Sequence, residues 1–278
     1  MNPKLQGRVQ RYGWDLAAED YEPLWQRQLA DARSALFSAA SMTNGERVLD
    51  VACGTGLVAF EAARLVGDAG RVTGVDLSGK MVAAAQRRAA DLGVANATFQ
   101  RMDAQKLEFP DASFDVVVCA LGLMYVPEPV AALSEMRRIL RPGGRMIVAV
   151  WGERSQCGWA PLFEIVDAEV SSEVCPLFFN LGQQNVLADL CEKVDFDLLE
   201  CRRLRSTLSY VDADEACDAA FMGGPVALAW SRFAADTRQR VRKHYVSAID
   251  PWRQESGYRI PGEFVVVAAR RPLGFNRE

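Results

Sequence analysis

The chain has 278 residues, half of them hydrophobic, with 32 basic and 36 acidic side chains and a net charge of −4. That length holds one large domain or two small ones, and the slight acidity with no basic run argues against a nucleic-acid surface. No apolar run reaches the ~20 residues of a membrane span, no signal-like stretch opens the N-terminus, and seven scattered cysteines fit a reduced cytoplasm better than a disulfide framework.

The first forty residues read as helical and aromatic, punctuated by Tyr12, Trp14, Tyr21 and Trp25. A strand is expected over 47–51, a helix over 57–65 ended by Gly67, and a second strand over 71–76. Ser78 stands where an N-cap belongs, ahead of a helix over 80–92. Strands follow over 97–102 and 114–119. A helix over 130–140 is stopped by Pro142-Gly143-Gly144, and a fifth strand covers 145–151. This alternation predicts a parallel sheet with helices on both faces.

Past Trp151 the pattern breaks. Residues 153–190 hold short helical stretches rich in Cys, Trp and Phe, and a strand is expected near 197–204. A mostly helical stretch over 213–249 precedes a last strand over 264–269. With no internal repeat or low-complexity linker, residues 1–278 read as a single domain. Its parts are a core of about 42–152, an N-terminal cap over 1–41, a lid over 153–190, and C-terminal strands with a helical insert over 195–271.

The chemistry-bearing string is VLDVACGTG over 48–56, followed by RVTGVDL over 71–77. A buried strand bears the carboxylate of Asp50, a glycine turn opens a helix, and Asp76 closes the next strand. Such a layout suits a nucleoside-bearing cofactor lying across strand ends. NAD fits poorly: CGTG supplies only Gly54 and Gly56, the third glycine of GxGxxG falls at Ala59, and Asp50 would repel a pyrophosphate.

DVACGTG, GVDLS, RMDAQKLEFPDASFD and LRPGG stand in the order and spacing of the class I S-adenosylmethionine (SAM)-dependent methyltransferases. The chain resembles their small-molecule branch, of the ubiquinone/menaquinone C-methyltransferase type, well over about 42–152 and loosely elsewhere. The resemblance implies an α/β, Rossmann-like, seven-stranded, mostly parallel sheet whose last two strands form a hairpin adding an antiparallel strand. Here that hairpin carries a long helical insert, and a helical lid follows the core.

By the same resemblance the cofactor is SAM. Gly54 and Gly56 let the backbone approach its methionine portion, beside Cys53 and Ala52, where the family has glycine. The amides opening the next helix face the methionine carboxylate, and Asp50 meets the ammonium. Asp76 accepts both ribose hydroxyls. Leu77 and Met81 flank the adenine, Asp103 accepts from its amine, and the Ala104 amide donates to the ring. Cys119 and Ala120 end strand four beside the methyl donor. Plainer readings stay open: Asp50 as a cap of the glycine turn, Asp103 as a turn residue, Met81 as helix core, and both cysteines as unreactive packing.

Methyl transfer from a sulfonium needs alignment and a dry pocket more than acid–base machinery. Tyr21, Trp25 and Tyr125 are candidates for an aromatic wall that holds the cation. Tyr125, in the segment that borders substrate in this family, is the candidate catalytic residue. CALGLMY lacks the acidic ligands of metal-dependent catechol enzymes and the NPPY-like signature of nucleic-acid amino-methyltransferases, so no metal is expected. The lone histidine, His244, reads as a solvated helix-face residue. A base must come from a carboxylate or tyrosine, unless the nucleophile is already anionic or carbanion-like. Cys157, Trp159 and Phe178, with Phe163 and Phe179, suggest a pocket for a small apolar or aromatic acceptor; an arsenic acceptor would need a cysteine spacing this chain lacks. The expectation is a cytoplasmic, metal-independent small-molecule methyltransferase. A catalytically inactive SAM-binding sensor or partner subunit is the alternative.

Overall fold

The computed structural model describes residues 3–170 and 174–273, which leaves residues 171–173 of the expected lid outside the described residues. Three helices open the chain: α1 (Pro3–Ala17), α2 (Tyr21–Trp25) and α3 (Ala30–Ala40). The alternating core follows as β1 (Arg47–Val51), α4 (Leu57–Val66), β2 (Arg71–Asp76), α5 (Gly79–Asp91), β3 (Ala97–Arg101), β4 (Phe114–Ala120), α6 (Pro129–Ile139) and β5 (Leu140–Trp151). Helices α7 (Pro161–Val170) and α8 (Val186–Lys193) lead to β6 (Asp197–Tyr210). An insert of α9 (Ala213–Phe221), α10 (Ala227–Arg232) and α11 (Ala235–Ile249) precedes β7 (Tyr258–Arg270).

The strands form one seven-stranded sheet in the order β3-β2-β1-β4-β5-β7-β6. The first five run parallel, and β7 is antiparallel to both β5 and β6. Central strands are buried on both faces, which explains why β4 runs as VVVCA after Asp115 rather than as an alternation. Strand order reverses between β1 and β4. That reversal opens a crevice beyond the strands' carboxyl ends, where ligands settle in open α/β sheets.

Two boundaries differ from the sequence reading. Pro142-Gly143-Gly144 does not stop α6, which already ends at Ile139; it lies inside β5, in a bulge where the register jumps from Phe114–Leu140 to Val116–Arg145. The bulge is held because Gly143 donates to Arg271 O and Arg271 donates back to Gly144 O. The last hairpin is also longer than expected, pairing from Asp197–Arg270 to Tyr210–Tyr258. Charged residues crowd the exposed part of β6 (ECRRLR), so its alternation is too weak to show the full strand.

The insert backs the N-terminal helices. Trp25 of α2 donates its indole N–H to Ala219 O of α9 at 3.1 Å, and Gly13 of α1 sits against Leu228 of α10. Phe221 stacks on Trp230 at 4.6 Å to anchor α9 on α10. Among the described residues, no helix is long and apolar enough to cross a membrane.

Candidate active site at the ends of β1 and β4

Strand β1 delivers Asp50 into the interior and then turns sharply. Ala52 adopts a left-handed conformation (φ 57°), as does Leu121 just beyond β4 (φ 59°). Such backbone costs a residue with a Cβ roughly 1–2 kcal/mol, and strain of this kind clusters at functional sites. Gly122 lies against this pair: a Cβ there would collide with Ala52 Cβ and crowd Cys119 Sγ. Gly56, at φ 90°, forms the N-cap of α4 where a Cβ would strike the Phe60 ring.

Asp76 closes β2 and is locked in place by two amides. Gly54 N–H donates to Oδ2 at 2.9 Å and Ser78 N–H to Oδ1 at 2.8 Å. Burial lifts its pKa from 3.8 to about 6, the Ser78 and Gly54 amides pull it back, and nearby Asp15 raises it again. Ser78 Oγ caps α5 by accepting from Met81 N–H, as its position in the sequence suggested, and donates its own proton to Asp15 of α1 at 2.6 Å. One serine thereby ties the first helix to the carboxylate.

Asp50 is almost fully buried. It receives the Ala59 amide of α4, while its Oδ2 has no hydrogen-bond partner among the described residues. Burial, and then the charge of Asp76, push its pKa well above the carboxylate range. It caps the turn, as the plainer reading held, and also leaves one unsatisfied acceptor. Such an oxygen is costly unless a cation or donor reaches it.

These elements enclose a cavity of about 580 Å³, within the usual size of a small-molecule site. Ala52, Gly54, Asp76, Leu77, Met81, Asp103, Ala104 and Ala120 line it, together with Tyr21 and Tyr125. Asp50, Cys53, Gly56 and Cys119 do not. The Cys53 thiol packs under β2, where a Cβ on Gly74 would touch it, and burial pushes the Cys119 thiol up to about 12. Both cysteines stay protonated and inert.

Of the expected acceptor residues, Tyr21 alone lines the main cavity. Trp25, Trp159 and Phe178 border a chamber of only about 30 Å³ behind it, sharing Trp14, Tyr21, Leu121 and Tyr125 with the larger space. Cys157 lies elsewhere, with Sγ directed at Glu263 O and its pKa raised to about 12 by burial. The expected lid pocket is thus mostly packed core: Trp159 and Phe178 meet edge to face at 5.5 Å. Exposed His244, on α11, is not among the cavity's lining residues.

The sequence reading missed the α1 face that roofs the cavity: Gly7, Arg8, Gln10, Arg11 and Trp14. Their three-and-four spacing marks one side of a helix, but nothing in it says what that side covers. Trp14 packs edge to face against Tyr21 (5.6 Å) and Tyr125 (5.1 Å). Gly122, Leu121 and Arg101 were missed as well. The doubled left-handed turn explains Gly122, and no local pattern announces it.

Residues 48–144 match a family model described as a methyltransferase domain. The chain is 38% identical over 135 residues to the ubiquinone/menaquinone biosynthesis C-methyltransferase UbiE of Cellvibrio japonicus, covering 48% of this chain and 51% of that protein. It is 39% identical over 163 residues to a demethylmenaquinone methyltransferase of Beutenbergia cavernae, covering 59% and 60%. The chain spans about half the length of the curated relatives it matches. The YcgJ protein of Bacillus subtilis shares the fold (TM-score 0.62, 17% identity), covering 88% of this chain and 99% of that one. Residues 48–144 thus carry a methyltransferase domain, and over about half its length the chain is similar to the ubiquinone/menaquinone C-methyltransferases.

Proposed function

We propose that this protein transfers a methyl group from SAM to a small, flat organic acceptor without the help of a metal. The observation that carries this is the joining of two features in one cavity. Asp76 and the Gly54 turn line it together with the Trp14–Tyr21–Tyr125 aromatic wall, and Tyr21 lies against Gly54.

The residues suit the cofactor. The Asp76 carboxylate is set at the strand end by backbone donors and can accept from vicinal ribose hydroxyls. Asp50 offers a desolvated, unsatisfied oxygen to an ammonium or sulfonium charge. Leu77, Met81 and Ala104 supply an apolar slot for a base, with Asp103 at its edge. SAM, when bound, supplies an electrophilic methyl group on a positively charged sulfur. The protein's part is alignment and exclusion of water: aromatic faces steady the cation, and α1 closes the roof. Among the described residues, no group of three or more His, Cys, Asp and Glu side chains is arranged to hold a metal. The names of the relatives support an aromatic, quinone-like acceptor.

Isothermal titration with SAM, S-adenosylhomocysteine (SAH) and NAD tests the cofactor. Micromolar binding of both SAM-type ligands and none of NAD is expected, with Asp76→Ala weaker by about 1–3 kcal/mol. Absence of SAM binding, or equal affinity in Asp76→Ala, would sink the reading. Binding without turnover on any acceptor would point instead to a sensor or partner subunit.

A further inference from the structure

The cavity carries positive charge that no acidic side chain among the described residues balances. Its two acidic side chains are engaged, Asp76 by the Gly54 and Ser78 amides and Asp103 by the Gln105 amide and side chain. Arg101 spends its Nε–H on Leu77 O. Arg8 and Arg11, on the α1 face that roofs the cavity, have no ion pair or hydrogen bond among the described residues. The recorded contact of Arg11 is with a ring: its guanidinium carbon lies 4.6 Å from the centroid of Tyr12.

The cavity also lacks a base. Burial holds the hydroxyls of Tyr21 and Tyr125 well above the ordinary phenol range, and neither has a hydrogen-bond partner among the described residues. Both remain protonated, as donors able to stabilise negative charge. An acceptor that must lose a proton has nothing here to take it, since Asp76 and Asp103 are spoken for.

We propose that Arg8 and Arg11 form an anion subsite, and that the acceptor enters already ionised, as a planar acidic enol or phenol. This rests on the methyltransferase reading and narrows its substrate class. Arg11 sits one turn and Arg8 two turns before Trp14, about 4.5 and 9 Å along the helix axis. Their side chains reach over an acceptor whose ring lies against Trp14, Tyr21 and Tyr125. Guanidinium forks suit a charge delocalised over two oxygens. The transfer then balances with no proton moved. The acceptor's electron pair forms the bond to the methyl carbon, the carbon–sulfur pair returns to sulfur, and the two opposite charges cancel.

The test uses the full chain saturated with SAH and two probes of one shape: 2-hydroxy-1,4-naphthoquinone, ionised at neutral pH, and its neutral methyl ether, 2-methoxy-1,4-naphthoquinone. Binding is read from tryptophan quenching, and for the hydroxyquinone also from its visible band. The ionised probe is expected to bind at least about tenfold tighter than the ether. The Arg8→Gln/Arg11→Gln double variant should lose that preference while keeping its affinity for SAH and for the ether, and the Lys/Lys pair should restore part of it. Equal binding of the two probes, failure of both to bind, or a preference that survives in the Gln variant overturns the proposal. A Gln variant that loses SAH affinity with its probe preference intact also overturns it, by assigning the arginines to the cofactor. Failure of the wild-type protein to bind SAH would instead bring down the methyltransferase reading and this proposal together.

Discussion

In the function proposed above, Asp76 has two roles that pull its proton affinity in opposite directions. Folding buries it and raises its pKa from 3.8 to about 6, so the free protein loses stability as pH climbs through that window. Accepting ribose hydroxyls favours the ionised form, so cofactor affinity gains over the same window. Calorimetry should show SAM affinity falling by about tenfold per pH unit below about 6 and level above it, with Asp76→Asn weaker and flat. A flat wild-type profile would remove Asp76 from the ribose. Ala52 and Gly122 form a second coupled pair. Gly122→Ala places a Cβ against Ala52 Cβ and should cost about 1–3 kcal/mol in denaturant unfolding. Ala52→Gly relieves a left-handed alanine and should gain about 0.5–1 kcal/mol, and the double variant should recover more than the sum of the two single effects. Additivity would mean the two positions do not touch. Asp50, Asp76 and Gly54 could be picked out beforehand because strand-end carboxylates and turn glycines leave a local signature. Gly122 could not, because its neighbour Ala52 lies seventy residues earlier in the chain.

At the level of elements, α1 acts on the site through its roof and through the carboxylate of Asp15. Asp15 accepts from Ser78 Oγ at 2.6 Å and from Lys80 N–H at 3.3 Å, so the end of α1 helps cap α5. A second strap runs from α2, where Glu22 accepts from Thr55 Oγ1 at 3.1 Å and pairs with Arg88, which also donates to Thr55 O. Both straps end on the turns that follow β1 and β2 at the rim of the cavity. Asp15→Asn keeps an acceptor but removes a charge that raises the Asp76 pKa. It should therefore shift the midpoint of the affinity profile downward with little change in affinity at neutral pH. Asp15→Ala should shift the midpoint likewise and also weaken SAM binding about three- to tenfold by loosening the roof. An unmoved midpoint in both variants would break the link between α1 and Asp76. The helical character of residues 3–17 was legible in the sequence; its docking was not, because the face that covers the cavity mixes arginine, glutamine and tryptophan rather than forming an apolar stripe.

For the molecule as a whole, the division between sequence and structure follows the range of the forces involved. The parallel core, the glycine turn, the N-cap at Ser78 and the two carboxylates were all readable, because each depends on neighbours within a few residues and on periodic burial. The four strings in register added the resemblance to the SAM-dependent methyltransferases. The antiparallel strand of the last hairpin came from the resemblance, whereas the place of β7 between β5 and β6 and the full length of the hairpin came only from pairing across the insert. The expected lid aromatics proved to be mostly core: in a segment without regular periodicity, apolar residues that line a pocket and those that fill a core have the same composition. The roof of the site was decided by tertiary structure in the same way. The insert supports α1 and α2 from behind and sets which of their faces meets the strand ends, and so places Arg8, Arg11 and Trp14 over the cavity. Sequence alone marked the glycine turn that lines the cavity, since that turn is built from local backbone. Tertiary packing decided what can sit opposite it, since that surface is assembled from segments more than a hundred residues apart.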